Sequence, residues 1–371
     1  MPQSTRHRTG KVSIKGAQRM YILCTIACTT TVYWFNLARV TIHMLPNTAL
    51  LEIFQFYMDD LAARMDGTWY TLVHVCQRWR GIALGSPDSP NRLNLQLYCT
   101  HSTPVMKTLK VWPPLPIAIR IYDLAISDIN NILVAIDHND RICELTLCRV
   151  LTSQLKKVVR AMEIPFPGLK SLKLEPSEDD TMLEVPTSFL GGSAPILQSL
   201  CFYHISFPEL PKLLLTATCL VHLELAGIPH SGYISPEAMA DCLSALTRLE
   251  DLHIGFEDLY LKFEPTRSHP VQKSQHLPPH TRTLPNLTKL QFRGTNEYLE
   301  DLVARIEAPV LDNLGIMVFR QLTFDTPQLA KFIRRTPKFK ANDESRVVHF
   351  NQNISVTIPQ TFDGNVNLTV L

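Results

Sequence analysis

The chain has no strong charge of either sign. Its 36 Lys and Arg nearly balance 34 Asp and Glu, a formal +2. No global field therefore draws it to nucleic acid or to an anionic membrane. Only the first residues are locally basic, at Arg6, Arg8, Lys11, Lys15 and Arg19. Ordered cysteine spacing is also missing. The nine cysteines are odd in number, none lies beyond Cys242, and no CxxC pair occurs. Neither a disulfide framework nor a zinc site is implied. Scattered thiols used as small apolar residues fit a reducing compartment, so a cytoplasmic or nuclear location is expected.

Signatures of catalysis are lacking as well. There is no GxSxG, no P-loop and no HExxH. Gly191-Gly192-Ser193 has no phosphate-loop lysine and reads as a turn. The acidic run Glu178-Asp179-Asp180 reads as a solvated loop. No enzyme, cofactor or metal is read from these residues.

A long apolar run is the last absence. Residues 20–35 are uncharged and follow the basic stub, which is the layout of a signal peptide or anchor. The run has 16 residues, short of the roughly 20 needed to span a bilayer. Four threonines and two cysteines dilute it. An N-terminal extension over 1–42 is the expectation, and a membrane-anchored or secreted protein is the alternative. The sequons at Asn286, Asn353 and Asn367 matter only for a secreted chain.

What is present begins at Leu45-Pro46. With 371 residues the chain exceeds one ordinary core, so it holds two or three units or one elongated array. Asn47 or Thr48 is placed to cap a helix. Apolar residues then recur at helical spacing at Leu50, Ile53, Phe54, Tyr57, Met58 and Leu61. Leu51 and Phe56 fall off that stripe, so this helix is apolar on more than one side and needs a partner beyond its own domain. A second helix is predicted from Trp69 to Leu84, with Leu72, Val75, Cys76, Trp79, Ile82 and Ala83 on its apolar face. Gly85-Ser86-Pro87 ends it.

Beyond Pro87 the period changes to two. Residues 92–97 and 117–122 alternate as strands do. A motif, apolar-x-x-Leu-x-apolar, then starts at Ile142, Leu169, Leu197, Leu220, Leu249, Leu287 and Leu311. The intervals are 27, 28, 23, 29, 38 and 24 residues, and five of the six fall in the leucine-rich-repeat range of about 20–29. The long interval holds an insertion at 264–285, rich in Pro, His and Ser. Its His269, His276 and His280 are spaced as solvated loop residues, not as a closed metal site. Ser235-Pro236-Glu237 and Thr326-Pro327-Gln328 read as helix starts between strands. Within each motif the leucines face a core and the alternate residues face out. That outer row includes Glu144, Thr146, Ser171, Lys173, Ser199, Tyr203, His222, Glu224, Asp251, His253, Lys289, Gln291 and Arg293.

The first block resembles an F-box. The resemblance rests on Leu45-Pro46, on Leu50-Leu51 with Ile53-Phe54, and on Val75-Cys76-Gln77-Arg78-Trp79-Arg80. With 92–97 and Trp112-Pro113-Pro114-Leu115-Pro116, it resembles the F-box proteins expanded in mushroom-type fungi. The segment Asp59–Thr68 departs from the pattern in being longer and more polar. The fold the resemblance implies is α/β: small all-α F-box helices at 43–88, then an irregular leucine-rich-repeat-like solenoid over 89–371 with a parallel sheet on its concave face. The function it implies is substrate recognition for a Skp–cullin–F-box ubiquitin ligase. A Skp-family adaptor, and through it a cullin, would bind Leu45, Pro46, Leu50, Leu51, Ile53, Phe54, Val75, Cys76, Trp79 and Ile82. A client protein would lie on Lys173, Tyr203, His222, Glu224, Asp251, His253, Lys289, Gln291 and Arg293. A repeat scaffold with no ligase role is the other alternative.

Overall fold

The computed structural model describes residues 42–64, 71–84, 95–101, 104–112, 114–122, 128–177, 182–257, 281–318, 326–337, 348–350 and 368–370. The apolar run at 20–35, the acidic run at 178–180 and the three insertion histidines lie outside them. Two compact units divide the chain at Ile53/Phe54.

The first unit enters the long helix α1 (Asn47–Arg64). The helix starts at Asn47, where a cap was expected, and the Leu50 N–H donates to the Pro46 carbonyl at 3.1 Å. Leu50 is fully buried, whereas Ile53 is 46% exposed. No helix among the described residues is long and apolar enough to cross a membrane.

In the second unit the helix expected over 69–84 is two helices, α2 (Thr71–Val75) and α3 (Gln77–Leu84). The break is at Cys76, whose Sγ accepts the Trp79 N–H at 3.4 Å. That contact does the work of an N-cap, satisfying a first-turn donor that has no intrahelical partner. The side chain read as core therefore restarts the helix. The Phe54 ring packs on Trp79, centroids 4.8 Å apart.

The rest is mixed α/β. Nine strands pair in parallel and in strict chain order: β1 (Leu95–Leu97), β2 (Ile117–Ile121), β3 (Ile142–Val150), β4 (Ser171–Pro176), β5 (Ser199–Tyr203), β6 (His222–Ile228), β7 (Asp251–Phe256), β8 (Lys289–Gly294) and β9 (Asn313–Val318). Two short strands, β10 (Val348–Phe350) and β11 (Leu368–Val370), continue the order. Between strands lie α4 (Val105–Val111), α5 (Ile129–Ile136), α6 (Thr152–Ala161), α7 (Leu210–Thr216), α8 (Pro236–Ala245), α9 (Asn296–Arg305) and α10 (Pro327–Arg335). Helices neighbouring in sequence touch, from α4 to α6 and from α7 to α10.

The motif register explains this order. Leu145, Leu172, Leu200, Leu223, Leu252, Leu290 and Leu314 stand side by side across seven strands. None is more than 1% exposed. Leu147, Leu174, Phe202, Leu225, Ile254, Phe292 and Ile316 form a second buried row beside it. Each strand thus presents the same two apolar residues to one core, and any one-residue slip would turn them outward. The loops repeat too. The leading leucine of six motifs, Leu169 to Leu311, donates its N–H to the carbonyl three residues back at 3.0–3.4 Å. The long interval leaves the register intact, because Asp251 pairs directly with Lys289.

Helices α8 and α10 both start where the sequence puts them, at Pro236 and Pro327, but their caps differ. Ser235 caps α8, its hydroxyl accepting the Ala238 N–H at 3.2 Å. Thr326 makes no such bond for α10. Glu300 of α9 reaches across instead, its two carboxylate oxygens accepting the Gln328 and Leu329 N–H groups at 2.8 Å each. A carboxylate suits the place, because it meets unpaired donors and the positive end of the helix dipole. Replacing Glu300 with Ala is expected to lower unfolding stability by about 1–2 kcal/mol in a denaturant titration, and Thr326→Ala by a few tenths at most. Equal losses would put the cap on Thr326.

Candidate functional site

The leucine rows fill one face of the sheet, and the alternate residues form the other. Burial alternates accordingly along β4, β6, β8 and β9. On that second face Ser171, Ser199, His222, Asp251 and Lys289 stand in one row. Lys173, Cys201, Glu224, His253 and Gln291 stand in the next. Parallel strands lie about 4.8 Å apart, so side chains in a row meet their neighbours.

They meet in a graded order. At the N-terminal end the Arg120 guanidinium donates to both Glu144 oxygens, at 2.6 and 2.8 Å. Next, the Lys173 ammonium sits 4.7 Å from the centre of the Tyr203 ring, a cation–π contact, and 3.9 Å from Glu175. The centre is built on Glu224. One of its oxygens lies 3.1 Å from His253 Nδ1, the other 3.7 Å from His222 Nε2. Tyr203 adds a hydrogen bond to the same carboxylate. His222 Nδ1 faces Asp251 at 3.4 Å, and Lys289 reaches Asp251 at 3.1 Å.

The electrostatics follow from this crowding. The acceptor groups of Cys201, first, and Glu224 push the His222 imidazole up to about 10. His222 and then His253 hold the Glu224 carboxyl well below the usual carboxylate range. Burial, helped by Glu224, pushes the Tyr203 hydroxyl up. The centre is a carboxylate ringed by donors.

The client row predicted from sequence therefore lies on one face. Lys173, Tyr203, His222, Glu224, Asp251, His253, Lys289 and Gln291 are half-buried, and Arg293 is exposed. The sequence reading missed Cys201, taken only as a small apolar side chain. Strict alternation over Ser199–Tyr203 was the available signal, because it puts residue 201 on the polar face. Gly227 bends the end of this face. It has φ +63°, and a Cβ there would stand 2.4 Å from the His204 ring, so only glycine fits the register shift before Ile228.

Cys201, His222 and Asp251 are thiol, imidazole and carboxylate in one neighbourhood, yet they make a poor nucleophilic triad. Cys201 is 7% exposed, and the N–H groups around it are committed to the sheet ladder, so none is left for an oxyanion. Four other thiols on the fold are held protonated by their surroundings. Burial pushes Cys99 up to about 12 and Cys143, Cys148 and Cys242 up to about 11. At pH 8 roughly one part in a thousand of a thiol near 11 is thiolate, the reactive form. Iodoacetamide at that pH is expected to leave these four unmodified in the native protein and to label them in denaturant, as peptide mass mapping would show.

The residues expected to dock an adaptor are split by burial. Leu50, Phe54 and Ile82 are buried; Leu45, Leu51, Cys76 and Trp79 are half-buried; Pro46, Ile53 and Val75 are exposed. Phe56, outside the predicted docking set, is 50% exposed. No family model and no curated protein matches the chain.

Proposed function

We propose that this protein is a client-recognition adaptor of a Skp–cullin–F-box ubiquitin ligase. Segment 43–88 docks a Skp-family adaptor, and an irregular leucine-rich-repeat-like solenoid holds a client protein on its polar face. The observation that carries the reading is the split of apolar residues along α1. Leu50 and Phe54 are used in the fold, while Ile53 and Phe56, three residues apart, stay about half exposed. Large side chains left outside a folded core mark an interaction surface; Ile53 belongs to the Ile-Phe anchor of the F-box pattern, and Phe56 lies one turn further along the same helix.

The polar face supports the second half. Its mixed charges, with Tyr203 and Arg293 among them, suit a protein partner whose aromatic and guanidinium contacts carry binding. The test is direct. The full-length chain is mixed with a purified Skp-family adaptor and run on size exclusion with light scattering. A one-to-one complex is expected. Absence of any complex would overturn the ligase reading and leave a repeat scaffold that binds partners through the same face.

A further inference from the structure

The cluster on β5 and β6 has a property that client binding does not use. Cys201 Sγ, a ring nitrogen of His222 and a carboxylate oxygen of Glu224 all lie within 4.8 Å of one another. Cys201 and Glu224 are register partners on adjacent strands, and His222 precedes Glu224 by two residues on the same face. The three donors come from side chains whose backbone is fixed by the sheet, which is the rigid support a metal site needs.

From this geometry we infer that Cys201, His222 and Glu224 form a binding site for a zinc-class divalent ion, with His253 and Asp251 as its supporting shell. Thiolate, imidazole and carboxylate together are a donor set for zinc or cobalt, and calcium or magnesium would take oxygen donors alone. Zinc sits about 2.0–2.3 Å from such atoms, so its donors lie roughly 3.5 Å apart. The 3.7 Å between His222 Nε2 and Glu224 Oε2 is long for a hydrogen bond. It is close to that donor spacing.

The surroundings point the same way. His222 turns Nδ1 to Asp251 at 3.4 Å, which leaves Nε2 for the ion. A carboxylate behind a ligating imidazole fixes its tautomer and raises its basicity. Glu224 turns Oε1 to His253 Nδ1 at 3.1 Å, and Oε2 is the oxygen that faces His222 Nε2. Lys289, at 3.1 Å from Asp251, offsets the extra negative charge in the supporting shell. Three protein ligands leave a fourth corner to water on the open face, the pattern of an accessible site as opposed to a closed structural one. No sequence spacing could announce it, because the ligands come from two successive motifs 23 residues apart.

The test uses the full chain and the metal alone. Purified protein is stripped with a chelator, loaded with zinc, dialysed exhaustively and assayed by inductively coupled plasma mass spectrometry. One zinc per chain is expected. Cys201→Ala and His222→Ala should each lose it, with far-ultraviolet circular dichroism reporting the fold. His253→Ala should keep the ion with about 10–100-fold weaker affinity, as loss of a supporting contact does. Cobalt loaded into the native chain gives a readout that needs no variant: a thiolate-to-cobalt charge-transfer band together with tetrahedral visible bands. Wild-type protein that retains no zinc, or cobalt without the thiolate band, overturns the site. So does zinc retained equally by folded Cys201→Ala and His222→Ala.

Discussion

Ile53→Asp together with Phe56→Asp is expected to abolish capture of a Skp-family adaptor and to leave the melting temperature within a few degrees of wild type. Both side chains sit on α1, three residues apart, and are 46% and 50% exposed. Positions i and i+3 are neighbours on a helix surface, so one partner groove would cover both. Interface anchors of this kind cost about 2 kcal/mol or more when truncated, and a buried unpaired carboxylate adds to that. Two such losses take a micromolar complex beyond detection. Stability should hardly move, because exposed substitutions stay near ±0.5 kcal/mol. The contrast is Leu50→Ala with Phe54→Ala. Both residues are 0% exposed, and truncating them costs about 2–5 kcal/mol each. Loss of capture in that variant would report a damaged fold. Wild-type affinity in the folded Asp double variant would remove α1 from the docking surface.

The repeat half of the fold was open to sequence reasoning, and the helical half only in part. A motif that recurs in phase fixes both the face of each leucine and its partners, because strand side chains alternate with period two and neighbouring repeats must align. That is why Leu172, Leu200 and Leu223 fall in one row, and why the long fifth interval disturbs nothing. Along α1 the same logic fails. The helix is apolar on more than one side, and period alone does not say which residues are buried and which stay exposed. Leu50 and Ile53 look equivalent in sequence and end at 0% and 46% exposure. The break at Cys76 and the cap from Glu300 were hidden for another reason. Each depends on a side chain serving a backbone N–H, through a sulfur in one case and across 28 residues in the other. Cys201 was hidden by its type: free cysteine is usually a small hydrophobe, and only its place in the row beside Glu224 and His253 gives it a different reading.

Leu252→Ala is expected to cost about 3–4 kcal/mol, read from a denaturant midpoint at unchanged slope, since a fully buried leucine truncated to alanine loses transfer energy and leaves a partly unfilled cavity. Leu252 lies between Leu223 and Leu290 in the first apolar row. Its neighbours are each 0–1% exposed, so nothing soft is at hand to refill the space. Gln291→Ala, one strand away on the polar face and half-buried, should cost several-fold less. The location of the damage tests the architecture as well as its size. In a solenoid each repeat leans only on its neighbours. Hydrogen exchange in the variant should then speed up first in β6, β7 and β8, while β2 to β4 keep their protection. A sheet that gathers around one shared core would lose protection everywhere at once. Uniform loss at the same energetic cost would therefore keep the buried leucine row and remove the solenoid.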